Sequence, residues 1–323
     1  MKGTGKARAH ANIAFIKYWG KKDERLVLPM NSSLSLTLDC YYTETEVTFD
    51  NNIDRDYFYL NGIIQNEAAT NKVSRFLDLF RTAAKMNIYA IIRSTNYVPT
   101  AAGLASSSSG FAALAAAANI ASGLNLSYKE LSIYARQGSG SAARSIYGGF
   151  VEWRKGNSSD ESYAIQIDNA KWDIGMIIVI VNPKEKSVSS REGMKRTLET
   201  SPFYDGWLET VDDDLEQIKA AIKNRDLQNM GSIAERNALK MHATMLGANE
   251  PFSYWEPDSI VVMQIVRELR KEGISCYFTM DAGPNVKIIC KLSESSIIME
   301  RLLQKFIDKQ IIVAGPGPGI TIL

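Results

Sequence analysis

The chain has 323 residues, 45% hydrophobic and 23% charged, with a formal net charge of +1. That is enough to bury a sizeable core in one large or two modest domains, and it supplies no overall field for nucleic acid or an anionic membrane. Cys40, Cys276 and Cys290 lack metal-ligand spacing, His10 and His242 are the sole histidines, and no apolar run reaches signal-peptide or membrane-spanning form, so neither a disulfide framework, a zinc site nor a membrane span is expected, and a cytoplasmic enzyme is.

Alternating and β-rich runs predict strands at 34–40, 44–50 and 57–60, with Asn61-Gly62 as a hairpin turn. An apolar stripe of Val73, Phe76, Leu77 and Phe80 predicts a helix over 68–86, and 88–93 reads as a strand. Pro99 to Gly110 is a loop of small residues with four consecutive serines, and an alanine-rich helix is expected from Phe111. Such a loop at a helix N-terminus offers free N–H groups, the positive end of the dipole and close backbone approach, which suits a phosphate. A flexible linker has a similar composition.

Ser127 and Glu130 have capping-box spacing for a second helix, and Tyr147 to Trp153 reads as a short strand. Polar residues dominate 155–172, a soft boundary, and the β-branched run 174–182 reads as a central strand. Leu208, Val211, Leu215, Ile218 and Ile222 mark a helix, followed by helices over 227–245 and from Asp258, a candidate N-cap, to Gly273. Strands at 276–280 and 286–291, a helix at 295–307 and two terminal strands around Gly315 to Pro318 complete an α+β chain with two lobes, divided as 1–182 and 183–323.

Four further segments carry chemistry. In Asn12 to Lys22, an extended backbone places Lys17, Trp19 and Lys21 on one face and Asn12, Ile16 and Tyr18 on the other, and a bend at Gly20 aims Lys17, Tyr18 and Lys21 at one pocket. In Gly138-Ser139-Gly140-Ser141 the turn offers anion donors, and Arg144 suits a carboxylate. Asp281, in Met280-Asp281-Ala282-Gly283-Pro284-Asn285, is a lone carboxylate at a strand end, fit for a general base if a cation orients it. Ser190, Arg191 and Met194 lie in a hydroxyl-rich stretch beside a cation. Each segment also has an ordinary reading: a solvated strand, a helix-ending turn, an Asx-turn and a helix cap.

Taken in this order, with Pro99 to Ser107 matching Pro-x-x-x-Gly-Leu-x-Ser-Ser, the segments resemble the GHMP kinase superfamily and, within it, the mevalonate diphosphate decarboxylase family. The resemblance implies an N-terminal lobe of the ribosomal S5 domain 2 type, a ferredoxin-like C-terminal lobe and an active cleft between them. It implies ATP-dependent decarboxylation of (R)-mevalonate 5-diphosphate to isopentenyl diphosphate, with magnesium, in a cytoplasmic homodimer. A 3-kinase or a monophosphate-specific decarboxylase of the same superfamily is the alternative. Carried over residue by residue, Asp281, Lys17 and Arg144 are the catalytic group. Asn12, Tyr18, Lys21, Ser139, Gly140, Ser141, Ser190, Arg191 and Met194 bind the substrate. Ser94, Asn96, Pro99, Ala101, Ala102, Gly103, Leu104, Ala105, Ser106, Ser107 and Ser108 hold the nucleotide, with Ser106 or Ser107 at the metal and Lys72 and Lys186 as further phosphate contacts. His242 reads as a structural helix residue.

Overall fold

The computed structural model describes residues 3–97, 106–182 and 187–323. The first lobe opens with β1 (Gly3–Ile16), the short pair β2 (Lys21–Asp23) and β3 (Leu28–Pro29), and the long β4 (Ser33–Phe49). It continues through β5 (Tyr57–Leu60), β6 (Ile63–Ile64), α1 (Glu67–Ala83), β7 (Ala90–Tyr97), α2 (Ser106–Ser122), α3 (Tyr128–Gly138), a 3-10 segment (Gly140–Ile146), β8 (Phe150–Trp153) and β9 (Ala164–Asp168). The runs at 34–40 and 44–50 are thus one strand, which pairs with β8 over Ser33–Leu36 and with β7 over Tyr42–Phe49. Asn61 and Gly62 have φ of 51° and 79°, the left-handed pair that a tight β5–β6 hairpin needs.

β4 lies between β1 and β7 in a mostly antiparallel sheet, and α2 packs on β1 and β4. The alanine run of α2 is buried on all sides, with Ala112, Ala113, Ala115, Ala117 and Ala118 at 0% exposure. Small side chains let the helix approach the sheet backbone, and Gly5 completes the fit: a Cβ there would lie 2.2 Å from the Ala117 carbonyl oxygen.

The second lobe holds β10 (Gly175–Val179), α4 (Ser190–Thr200), α5 (Tyr204–Lys223), α6 (Leu227–Leu246), α7 (Pro257–Lys271), β11 (Tyr277–Met280), β12 (Val286–Cys290), α8 (Ser295–Leu303) and β13 (Ile311–Ala314). Its antiparallel sheet runs β11-β12-β10-β13, the strand order of the ferredoxin-like arrangement. The terminal β14 (Thr321–Ile322) returns to the first lobe and pairs with β1.

Several boundaries differ from expectation. The helix expected at Phe111 starts at Ser106, so the serines lie in its first turns. The N-cap of α7 is Glu256, followed by Pro257, rather than Asp258; Pro suits the first helical position because no N–H is required there. β10 hydrogen-bonds to β12 and β13, so a lobe division drawn by sheet falls between Asp168 and Gly175 rather than at 182/183. The capping box at Ser127 and Glu130 is present, and Gly273, with φ of 96°, follows the end of α7.

One apolar core joins the lobes: Phe15, Leu34 and Phe150 pack with Met176, Ile178, Trp207 and Ile289. A second fills the space between α1, α2 and the first sheet, and a third lies beneath α7 and α8.

Candidate active site

A cleft of about 480 Å³ is lined by residues from both lobes. It gathers Asn12, Lys17, Tyr18, Lys21, Lys72, Ser107, Ser139, Gly140, Ser141, Arg144, Ser190, Arg191, Met194 and Asp281, which the sequence separates by up to 269 positions.

Lys17 sits just beyond the last residue of β1. Its backbone is held at both ends: its N–H donates to Asn237 Oδ1 at 2.9 Å and its carbonyl accepts from Asn31 Nδ2 at 2.7 Å. Asn237 is oriented in turn by Asp214, whose Oδ2 accepts from Asn237 Nδ2 at 2.9 Å and pairs with Lys240 at 2.6 Å. The strict alternation expected for Asn12 to Lys22 does not hold. The register of β1 slips between His10 and Asn12 and again between Ala14 and Ile16, and the strand ends before Lys17. Asn12, Lys17, Tyr18, Trp19 and Lys21 therefore all reach the cleft. The bend at Gly20 is present, with φ of 106°, and Tyr204 closes over it by donating to the Trp19 carbonyl at 2.6 Å.

Asp281 follows β11 in a turn tied down on both sides. Ser259 Oγ donates to the Pro284 carbonyl at 2.7 Å, and Asn285 Oδ1 accepts from the Val181 N–H at 2.8 Å. The carboxylate meets Lys17 Nζ at 2.7 Å through Oδ1 and Lys287 Nζ at 3.3 Å through Oδ2. Its side chain is 37% exposed because the cleft is open, whereas those of Lys17 and Lys287 are 2% and 5% exposed. Burial favours the protonated acid, but the two lysines outweigh it and hold Asp281 well below the usual carboxylate range. Burial pulls Lys17 below the ordinary lysine range despite Asp281, and the nearby Lys287 and Arg144 push the same way.

Arg144 projects from the 3-10 segment and is 3% exposed. Its guanidinium donates to Asn12 Oδ1 at 3.2 Å, Ser35 Oγ at 3.0 Å and Ser33 Oγ at 2.5 Å. Asn12 is locked by donating to the Ser141 carbonyl at 3.0 Å and Ser145 Oγ at 2.8 Å. The Tyr18 ring packs on Trp153 with centroids 4.7 Å apart, and its buried hydroxyl has no hydrogen-bond partner among the described residues. Ser139 Oγ lies 3.4 Å from Ser107 Oγ, which joins the serine turn to the start of α2.

Several expected residues lie elsewhere. β7 continues to Tyr97, so Ser94 and Asn96 are strand residues: Ser94 shares a hydrogen bond with Thr45 at 2.8 Å and Asn96 accepts from Thr43 at 2.9 Å. Neither lines the cleft. Ser108 is 0% exposed inside α2, because helical periodicity turns Ser107 outward and Ser108 and Ser109 inward. Pro99, Ala101, Ala102, Gly103, Leu104, Ala105 and Lys186 lie outside the described residues, as does the side chain of Ser106. His242 is 3% exposed and packs on Trp255; burial lowers it to about 3, so it is neutral. Lys287, Trp19, Arg25 and Met241 line the cleft and were not expected there. A lysine within the apolar strand Val-Lys-Ile-Ile-Cys was the available signal for Lys287.

The donor set suits polyanions. Lys17, Lys21, Arg25, Lys72, Arg144, Arg191 and Lys287 face, among the described residues, only Glu24 and Asp281, and the Tyr18 hydroxyl is a further donor. Among the described residues no cluster of three His, Cys, Asp or Glu forms a metal cage. The donors thus fit magnesium arriving with nucleotide phosphates, which supply most of its oxygen ligands.

Comparison with known proteins decides the family. Residues 9–164 match the model of the diphosphomevalonate decarboxylase-like N-terminal domain and residues 176–314 that of the mevalonate 5-diphosphate decarboxylase C-terminal domain. The chain is 36% identical to diphosphomevalonate decarboxylase of Ganoderma lucidum over 93% of its own length and 81% of that protein's. The chain belongs to the diphosphomevalonate decarboxylase family. Among solved structures it is similar to MDDEF in complex with MVAPP, AMPPCP and magnesium (54% identity, TM-score 0.96, covering 100% of this chain and 99% of that one). It is also similar to the mevalonate diphosphate decarboxylase of Enterococcus faecalis (53% identity, TM-score 0.95, 100% and 99% covered). The fold is accordingly the GHMP kinase fold of this decarboxylase family, with its cleft between the lobes.

Proposed function

We propose that the cleft carries out the ATP-dependent decarboxylation of (R)-mevalonate 5-diphosphate to isopentenyl diphosphate, CO2, ADP and phosphate. The supporting observation is the Asp281 carboxylate, ionised between two buried lysines and sharing a cation-lined cleft with Arg144, in a chain of this family.

ATP with magnesium supplies the phosphoryl group that turns a tertiary hydroxyl into a leaving group. Asp281 orients that hydroxyl and accepts its proton. Lys17 then balances the charge that develops as the phosphoryl group moves; such transfers depend mainly on positioning and charge neutralisation. Arg144, preset by Asn12, Ser33 and Ser35, holds the substrate carboxylate so that carbon–carbon cleavage can quench the cationic character left at the tertiary carbon. Tyr18, Lys21, Ser139, Gly140, Ser141, Ser190 and Arg191 take the diphosphate, with Met194 on the wall. Ser107 and Lys72, which line the cleft, serve the nucleotide phosphates, with Ser106 or Ser107 at the metal.

The proposal extends to a cytoplasmic homodimer. The test is purified protein with ATP, magnesium and mevalonate diphosphate, assayed for ADP and CO2 together. One-to-one release is expected; ADP without CO2 would replace this reading with a 3-kinase. Mevalonate monophosphate in parallel settles substrate length.

A further inference from the structure

Of the two lysines that hold Asp281, only Lys17 has a part in the reaction above. Lys287 lies within β12, which β10 and β11 flank on either side. Strand alternation divides its residues between two faces. Val286, Ile288 and Cys290 pack beneath α7 and α8, whereas Ile289 joins the core shared by the lobes, and Lys287 points the same way. An ammonium on the inner face of a central strand is costly unless paired. Lys287 is paired twice: its Nζ lies 3.3 Å from Asp281 Oδ2 and donates to the Asn285 carbonyl at 3.1 Å.

Each Asp281 oxygen therefore has its own lysine. A carboxylate held through one oxygen still rotates about its terminal torsion, which is broad; one held through both has a fixed plane. The charges facing it are Lys17 from the end of β1, Lys287 from β12 and Arg144 from the 3-10 segment, while His242 of α6, close enough to feel the same charges, is neutral. Arg144 is directed at Asn12, Ser33 and Ser35, and the ion pairs made to the Asp281 carboxylate itself are those of the two lysines.

We infer that Lys287 is a positioning residue for the proton acceptor: with Lys17 it clamps both oxygens of Asp281, fixing the carboxylate plane toward the bound hydroxyl and keeping the group ionised. The inference rests on the role given to Asp281 above. A neutral side chain of similar length frees one oxygen and removes one of two stabilising charges.

The experiment compares wild type with K287M, K287R and D281N in kcat, KM and pH profile. K287M is expected to lose about 10²-fold in kcat, the scale of a small misplacement of a reacting group, with KM largely retained. Its acidic limb moves up by about 1–3 pH units, because an opposite charge at this range lowers a carboxyl by that amount. Its basic limb also moves up, since Lys287 pushes Lys17 down. K287R restores both limbs and much of kcat. Wild-type kcat and limbs in K287M, or a loss of kcat with unmoved limbs, would overturn the inference. If circular dichroism shows K287M unfolded, K287Q is read in its place by the same criteria. An active D281N would remove the proton acceptor itself, whereas an inactive D281N beside an unimpaired K287M would sink only the role of Lys287.

Discussion

Asp281 is useful because it is less enclosed than its neighbours, with a side chain 37% exposed against 2% and 5% for Lys17 and Lys287. Lys17 and Lys287 cannot find water, so their charges are spent on one carboxylate that still faces the cleft. D281N keeps the shape and loses the proton acceptor, so turnover should fall by several orders of magnitude with substrate binding largely retained; rapid-quench turnover and calorimetric titration check the two halves. R144A should lower kcat by about 10²–10³, the usual scale for one preorganised donor, while ATP affinity is nearly unchanged, as an equilibrium nucleotide titration will show. Lys17 carries the pH dependence. Burial brings it down to about 8, so it is charged below that pH and neutral above it. The kcat/KM profile, which reports the free enzyme, should fall as pH rises through about 8; a profile flat to pH 10 would take Lys17 out of the charge balance. Lys17, Arg144 and Asp281 were legible as polar residues in distinctive turns. Lys287 was not, because one lysine in an apolar run reveals its importance only when the strand register sets it opposite Thr279 and beside the Asp281 turn.

At the scale of elements, local signals worked where the chemistry is local. The Ser127 box, the Asn61-Gly62 hairpin and the Gly273 helix end all followed from backbone requirements that only a few residue types meet. They failed where tertiary contacts override preference. Four serines read as loop because serine competes with the helix backbone, yet they form the first turns of α2, with Ser109 sharing a hydrogen bond with Thr43 at 2.8 Å. β7 outruns its apolar segment because β4 offers partners as far as Tyr97, and this engages the polar Ser94 and Asn96 in hydrogen bonds to Thr45 and Thr43. The closeness of α2 to β1 is itself testable. Gly5→Ala places a methyl group against helix backbone, and overpacking of this kind costs about 1–3 kcal/mol; denaturant unfolding should show that loss, and an unchanged midpoint would mean that α2 can retreat without cost.

At the scale of the molecule, the lobes are bound by one core and by the chain's return. β14 pairs with β1, and the Ile320 N–H donates at 3.2 Å to the carbonyl of Ile146, the last residue of the segment that carries Arg144. Calorimetry should therefore show both lobes unfolding in a single transition; two resolved transitions would mean that the shared core does not couple them. The amino-acid sequence by itself determined the helix and strand periods, the turn chemistry and the set of residue types from which the family resemblance arises. It did so because those properties depend on neighbours a few positions away. Only the tertiary structure decided that Lys287 completes the Asp281 clamp, that Ser94 and Asn96 belong to the sheet, and that Asn237 and Asp214 hold Lys17 in place. Those facts depend on strand register and burial between residues up to hundreds of positions apart, and no local pattern encodes such distances.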